Sequence, residues 1–257
     1  MNLRRIWLEP KDLPPSLSVG KSFELPGSAF HHVAHVTRLS VGDTFEGISG
    51  SDVALILELM DVGKKSATVK VIETRKLHVP GEPHIHLAFA VSKWEVTESV
   101  IEKSVELGVS AFQPLLTANS FVKKPNDISE TRLDRWRRIV QSATVQSSRG
   151  GMMELLPPKN LAEFLETVHR DTRAACLFAY EGVCPQDIRS ALTDLLRDKP
   201  NCVWALVGSE GGFNDAEVEK IRSFRMTPAT MGPQILRAET ACLAILSVIK
   251  YEIGNMR

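Results

Sequence analysis

A chain of 257 residues, 43% hydrophobic and 24% charged, carries enough apolar material for one large or two ordinary domains, and disorder is not expected to dominate it. Lys plus Arg and Asp plus Glu both total 31, so a global polyelectrolyte attraction to nucleic acid is excluded and any basic surface must be local. The four cysteines, Cys176, Cys184, Cys202 and Cys242, sit in or beside apolar runs with no C-x-x-C pair, which speaks against a zinc site or disulfide framework and for buried thiols in a reducing cytoplasm.

The first fifteen residues hold no apolar stretch of signal-peptide length, and the longest apolar run, near residues 241–249, is far short of the ~20 residues needed to cross a bilayer. A soluble, cytoplasmic protein without membrane partners is expected. Residues 1–76 read as short strands at 4–8, 43–49, 53–60 and 67–73, separated by Gly42, Gly47, Gly50 and Gly63, a spacing that suits a small β-barrel. A helical insertion is expected over residues 30–39. Pro80, Gly81 and Pro83 interrupt both helix and ladder hydrogen bonding, so residues 77–83 form a linker.

Beyond it the rhythm becomes β-α alternation, which predicts a mainly parallel sheet covered by helices over residues 84–257. Strands are expected at 84–91, 109–116, 153–155, 174–178 and 202–207, with a short one at 226–231 that Pro228 confines to its start or to an edge. Helices are expected at 95–107, 130–147, 161–168, 185–196, 215–224 and 237–253. His31 and His35 stand four apart but lack an adjacent acidic or cysteine partner, so no metal is expected.

Two glycine-bearing turns carry the chemical signal. Gly208-Ser209-Glu210-Gly211-Gly212-Phe213 follows one apolar strand, and Met231-Gly232-Pro233-Gln234-Ile235-Leu236-Arg237-Ala238-Glu239-Thr240 follows another. Each precedes a helix, so both lie at the sheet end where α/β proteins usually hold ligands. Glycine lets a ligand approach the main chain closely. Asn214 with Glu217 resembles a capping box. Neither a Walker loop nor a G-x-G-x-x-G fingerprint is present. Arg237 opens a helix where the dipole favours negative charge; a bound substrate explains it, as does a salt bridge to Glu217 or Glu239.

Taken together the turns resemble the C-terminal motifs of the SPOUT methyltransferases, and most closely the RsmE family of 16S rRNA uridine-N3 methyltransferases. There the first motif is similar to G-P-E-G-G-F/W and the second to L-G-x-R-I-L-R-x-E-T-A. The 101–109 segment, Gln146-Ser147-Ser148-Arg149 and residues 32–43 resemble further family segments, so the likeness spans nearly the whole chain. Ser209 stands where the family usually has proline, Gln234 where it has arginine, and Asn119 where Arg precedes Ser.

The resemblance implies a PUA-like β-barrel that binds RNA, followed by a methyltransferase domain with a deep trefoil knot in about residues 202–257, acting as a homodimer on 16S rRNA within the 30S subunit. It implies S-adenosyl-L-methionine held by Leu206, Gly208, Gly211, Met231, Gly232, Ile235, Leu236, Thr240 and Ala241. Arg237 is the candidate for stabilising a uracil anion, and Glu210 for anchoring a loop, binding substrate or assisting proton removal. For RNA, residues 119–151 hold seven basic side chains against three acidic ones; Lys123 and Arg149 within this stretch, with Arg4, Arg5 and Arg38 in the barrel, are the candidate contacts. Trp136 either adds an aromatic surface or fills the core. A SPOUT enzyme acting on another RNA nucleotide and a catalytically silent RNA-binding protein of this fold are the competing readings.

Overall fold

The computed structural model describes residues 3–256. Met1, Asn2 and Arg257, which end the expected 1–76 and 84–257 units, lie outside the described residues. The chain divides into two compact units, Met1–Val79 with Gln141–Met152, and Pro80–Val140 with Met153–Arg257.

The first unit contains β1 (Arg5–Trp7), β2 (Ser22–Pro26), α1 (Gly27–His31), β3 (Thr44–Ile48), β4 (Val53–Val62) and β5 (Ser66–Lys76). They form a five-stranded sheet in the order β1-β3-β4-β5-β2, parallel between β1 and β3 and antiparallel elsewhere. Alternation puts Ile6, Phe23, Leu25, Phe45, Leu57 and Val69 into one core. β2 is absent from the sequence expectation, although Phe23 and Leu25 are its two buried residues and the others face out. The expected 30–39 helix is replaced by α1 and a π-helical turn, His32–Val36. There the Thr37 amide and hydroxyl both donate to the His32 carbonyl at 2.8 Å, widening the turn before Arg38 leaves at φ 50°. Gln141–Met152 joins this unit, rather than the expected 84–257 body, because Val145 packs with Trp7 against Ile48, Ala54 and Leu77.

The second unit runs β6 (His84–Ala90), α2 (Trp94–Glu106), β7 (Ala111–Leu116), α3 (Glu130–Ser147), β8 (Glu154–Leu155), β9 (Lys159–Asn160), α4 (Leu161–His169), β10 (Ala174–Ala179), α5 (Ile188–Arg197), β11 (Cys202–Val207), α6 (Asp215–Ser223), β12 (Thr227–Ala229) and α7 (Ala238–Glu252). Six strands lie in the order β12-β10-β11-β6-β7-β8, β9 also pairs with β7, and every pairing is parallel. Helices cover parallel strands on both faces, so β7 and β11 are buried along their whole length; β11 reads as a continuous apolar run, while β7 carries buried Gln113, whose amide donates to the carbonyls of Pro114 at 3.0 Å and Pro157 at 2.6 Å. β12 takes an edge, where the missing amide of Pro228 costs no ladder bond. α5 starts three residues later than expected, because Asp187 accepts the Ser190 amide at 2.9 Å and caps the helix there.

The expected capping box is present on α6. Asn214 Oδ1 accepts from the Glu217 amide at 2.8 Å and Glu217 Oε2 accepts from the Asn214 amide at 3.1 Å. Replacing Asn214 by alanine is expected to lower the unfolding free energy by about 1 kcal/mol, read from the urea midpoint; an unmoved midpoint would show that water satisfies those donors equally well.

Among the described residues no helix is long and apolar enough to cross a membrane. The four cysteines are free; Cys202 and Cys242 are buried, while Cys176 and Cys184 are partly exposed. Burial pushes the Cys176 thiol up to about 12 and that of Cys202 to about 11, which leaves both protonated and unreactive at neutral pH.

Candidate active site

Parallel strands deliver their C-terminal ends to one edge of a sheet, and here the order reverses at β6, with β7 and β8 on one side and β10 to β12 on the other. Ligands are held at such a switch point because neighbouring loops splay apart. A cavity of about 550 Å³ opens there, lined by the residues that follow β6, β10, β11 and β12 and by the start of α7. Its size is that of a small-molecule site.

The first turn folds tightly on itself. A side chain at Gly208 would place its Cβ 3.0 Å from the Gly212 Cα and 3.1 Å from its carbonyl carbon, and the Gly212 amide closes the turn by donating to the Ser209 carbonyl at 2.9 Å. In the second turn Gly232 stands at φ 112°, outside the range open to L side chains. Thr230 Oγ1 fixes it from both sides, accepting from the Gly232 amide at 3.3 Å and donating to the Gly232 carbonyl at 3.1 Å.

Arg237 is the N-cap of α7, in extended backbone, and its carbonyl accepts the Ala241 amide at 2.8 Å. Its side chain is exposed and lines the cavity. Among the described residues it has no ion-pair partner. Glu217, one of the two candidate partners, is committed instead to the α6 cap and to the Ala118 amide at 2.7 Å. The arginine is therefore available to a ligand.

Of the other residues expected at the site, Gly208, Glu210, Met231, Gly232, Ile235, Leu236 and Ala241 line the cavity, whereas Leu206, Gly211 and Thr240 do not. Leu206 belongs to the buried interior of β11. Glu210 is exposed and its carboxylate anchors nothing among the described residues. The anchor of that turn is Ser209, 5% exposed, whose hydroxyl donates to the Asn119 carbonyl at 2.7 Å.

The expected RNA contacts fare unequally. Arg4, Arg38 and Lys123 are exposed. Arg4 also donates to the Thr37 carbonyl, and Lys123 Nζ to the carbonyls of Ala118 and Ser120, each at 2.6 Å. Arg5 is drawn into a 3.1 Å ion pair with the buried Glu46 and a 2.7 Å bond to the Gln146 carbonyl. Arg149 is not a surface cation: only 8% exposed, it pairs its backbone with His78 after the turn at Ser148, and burial lowers its guanidinium to about 10. The basic excess on α3 is largely neutralised in place. Glu98 receives Arg132 at 2.7 Å and both nitrogens of Arg135 at 2.7 and 2.9 Å, which hold its carboxyl below the usual range, Arg135 first. Arg137 pairs with Glu130 and Asp134. Trp136 is fully buried, so it fills the core and offers no surface to RNA.

Lys93, Tyr180 and Glu181 also line the cavity and escaped the reading of the sequence. Lys93 follows β6 and the other two follow β10, so the strand-turn-helix position that singled out the glycine turns marks them as well. Glu181 and Glu210 put carboxylates on the wall, and Lys93 and Arg237 add cations. Charges of both signs on one wall suit a polar ligand with groups of both kinds.

Comparison with known proteins identifies the family of the chain. A family model described as RNA methyltransferase domain matches residues 80–250. The chain is 29% identical over 238 residues to ribosomal RNA small subunit methyltransferase E of Bacillus subtilis, covering 92% of each protein. It is 30% identical to the Synechocystis enzyme of the same name over 91% of this chain and 75% of that one. The crystal structure of ribosomal RNA small subunit methyltransferase E from Neisseria gonorrhoeae, bound to S-adenosyl methionine, superposes with a TM-score of 0.85 at 25% identity, covering 100% of both chains. With residues 80–250 matched by the family model and 91–92% of the chain aligned to these two relatives, the chain belongs to the ribosomal RNA small subunit methyltransferase E family of RNA methyltransferases.

Proposed function

We propose that this protein transfers a methyl group from S-adenosyl-L-methionine to N3 of a uridine in the decoding region of 16S rRNA, within the small ribosomal subunit in the cytoplasm. The carrying observation is the cavity itself, with its glycine turns, carboxylates and one unpaired arginine, in a chain of this family. When bound, the cofactor supplies an electrophilic methyl on a sulfonium.

The residues present fit that group. The main chain of Gly208, Met231, Gly232, Ile235 and Leu236 would hold the adenosine, glycine at 208 and 232 leaving no side chain in the way. Glu210 and Glu181 complement the sulfonium charge. Uracil carries a proton on N3 that must pass to water or to a carboxylate on the wall such as Glu210, and Arg237 stabilises the anion left behind, which takes the methyl group as the sulfonium becomes a neutral thioether. Holding donor and acceptor in line contributes the rest.

In the same reading the C-terminal segment, about residues 202–257, forms a deep SPOUT-type trefoil knot, supported by the return of α7 from beyond edge strand β12 to pack on α2, β11 and β6. The five-stranded unit that contains most of residues 1–76 is a PUA-like RNA-binding module, with 77–83 as its linker to the 84–257 methyltransferase domain and with exposed Arg4 and Arg38 as contacts, joined by Lys123 of the second unit. The protein acts as a homodimer that covers exposed Leu243 and Tyr251 of α7. Mass spectrometry of rRNA from a deletion strain tests the assignment: 3-methyluridine is expected to disappear from the small subunit and to return on complementation. Undiminished 3-methyluridine would sink it.

A further inference from the structure

β7 and β11 do not touch, since β6 lies between them, yet the loops that follow them are joined across the C-terminal end of β6 by hydrogen bonds running both ways. Ser209 Oγ donates to the Asn119 carbonyl at 2.7 Å. Asn119 Nδ2 donates to the Gly211 carbonyl at 2.8 Å, with a longer contact of 3.4 Å to that of Gly212. The Ala118 amide donates to Glu217 Oε1 at 2.7 Å. A side chain at Gly211 would bring its Cβ to 3.0 Å from the Asn119 Cβ, so glycine there is what lets asparagine reach the main chain.

The loop after β7 is itself firmly held. Phe121 donates its amide to the Val91 carbonyl at 2.7 Å, the Thr117 amide donates to Ser120 Oγ at 2.9 Å, and Lys123 Nζ bridges the carbonyls of Ala118 and Ser120. The turn after β11, by contrast, contains three glycines and has Gly212 at φ 61°. Left alone, such a segment has wide conformational freedom, all of which a ligand that reads its backbone must suppress on binding. One loop is the fixed post and the other is the part that it holds.

We infer that Asn119 and Ser209 are positioning residues that hold the Gly208-to-Phe213 turn in the conformation that receives the methyl donor. Asn119 is exposed and does not line the cavity, so its effect reaches the ligand only through the turn. The inference rests on the reading of the cavity as a methyl-donor site.

The test compares Asn119→Ala, the near-isosteric Asn119→Asp, which removes the amide donor and sets a carboxylate against the Gly211 carbonyl, and Ser209→Ala. Steady-state kinetics with S-adenosylmethionine and small subunits lacking the methyl group should give a KM for the donor raised about tenfold in both Asn119 variants and severalfold in Ser209→Ala, as loss of one or two net hydrogen bonds predicts, with kcat at saturation within about threefold of wild type; an unmoved KM in Ser209→Ala would overturn the role of Ser209. Asn119→Gln, which keeps the amide donor, should recover part of the loss. The amides of Gly211 and Gly212 should exchange hydrogen faster in the Asn119→Asp protein while the buried strand β11 is unchanged. A donor KM unmoved in both Asn119 variants, or equal losses in KM and kcat, would overturn the positioning role. Calorimetry on the wild type separates the two readings: if it binds no S-adenosylmethionine the methyl-donor assignment fails, and the exchange measurement still decides whether Asn119 holds the turn.

Discussion

Replacing Arg237 by alanine is expected to lower kcat by about 10²-fold or more, with the affinity for S-adenosylmethionine held within about threefold, because the guanidinium acts on charge that exists only near the transition state. The structure gives three reasons to assign it this role. Its side chain is exposed at the cavity, it has no carboxylate partner among the described residues, and it occupies the N-cap of α7. A cation at a helix N-terminus gains nothing from the helix dipole, and with no ion pair to hold it there, the ligand is the partner left. An oxyanion-stabilising donor is worth roughly 2.7–4 kcal/mol, and the exposure of Arg237 puts the expected effect at the lower end.

Arg237→Lys should recover only part of the rate, since an ammonium supplies the charge without the planar fork. Raising the pH should recover some activity in Arg237→Ala, because more of the uracil is then ionised without help. If single-turnover rates are normal while donor affinity falls, Arg237 belongs to cofactor binding instead.

The parallel sheet was legible because strands buried on both faces leave little choice of residue: β11 reads Cys202-Val203-Trp204-Ala205-Leu206-Val207, and all six are buried. The first glycine turn was legible because it ends such a run, and the second because Gly232 and Pro233 interrupt the chain between an extended segment and a helical one. β2 was not, because Ser22-Phe23-Glu24-Leu25-Pro26 alternates over only five residues and ends on proline, too short a run to stand out from a loop. Nor could the sequence supply the neighbours of the turns. The cavity is assembled by the strand order β12-β10-β11-β6, which brings Lys93 and Tyr180 beside residues more than a hundred and about thirty positions further along the chain. The same order brings Asn119 to Ser209, two positions that the sequence presents only as separate departures from a motif. Local charge misled for a physical reason. Arginines one turn apart on α3 face Glu98 of α2, a partner that pattern along the chain does not reveal.

Backbone geometry makes the second strong prediction, at Gly232. Its φ of 112° lies in a region that an L residue rarely adopts, whereas a Cβ built there would meet only Gln234 Oε1 at 3.8 Å, an ordinary contact. Space is therefore not the obstacle to a side chain, and conformation is. Holding a residue in so sparsely populated a region costs about 1–3 kcal/mol, and a surface turn can avoid most of that by relaxing. Relaxation at Gly232 would carry with it the main chain of Met231, Ile235 and Leu236, which lines the cavity. Gly232→Ala is accordingly expected to weaken S-adenosylmethionine binding about 10- to 100-fold by calorimetry while moving the unfolding midpoint by only a few degrees. The contrast with Arg237→Ala is the informative part, since one variant should lose donor affinity and the other turnover. A Gly232→Ala protein that binds the donor as tightly as wild type would show that the second turn does not read the cofactor through its backbone.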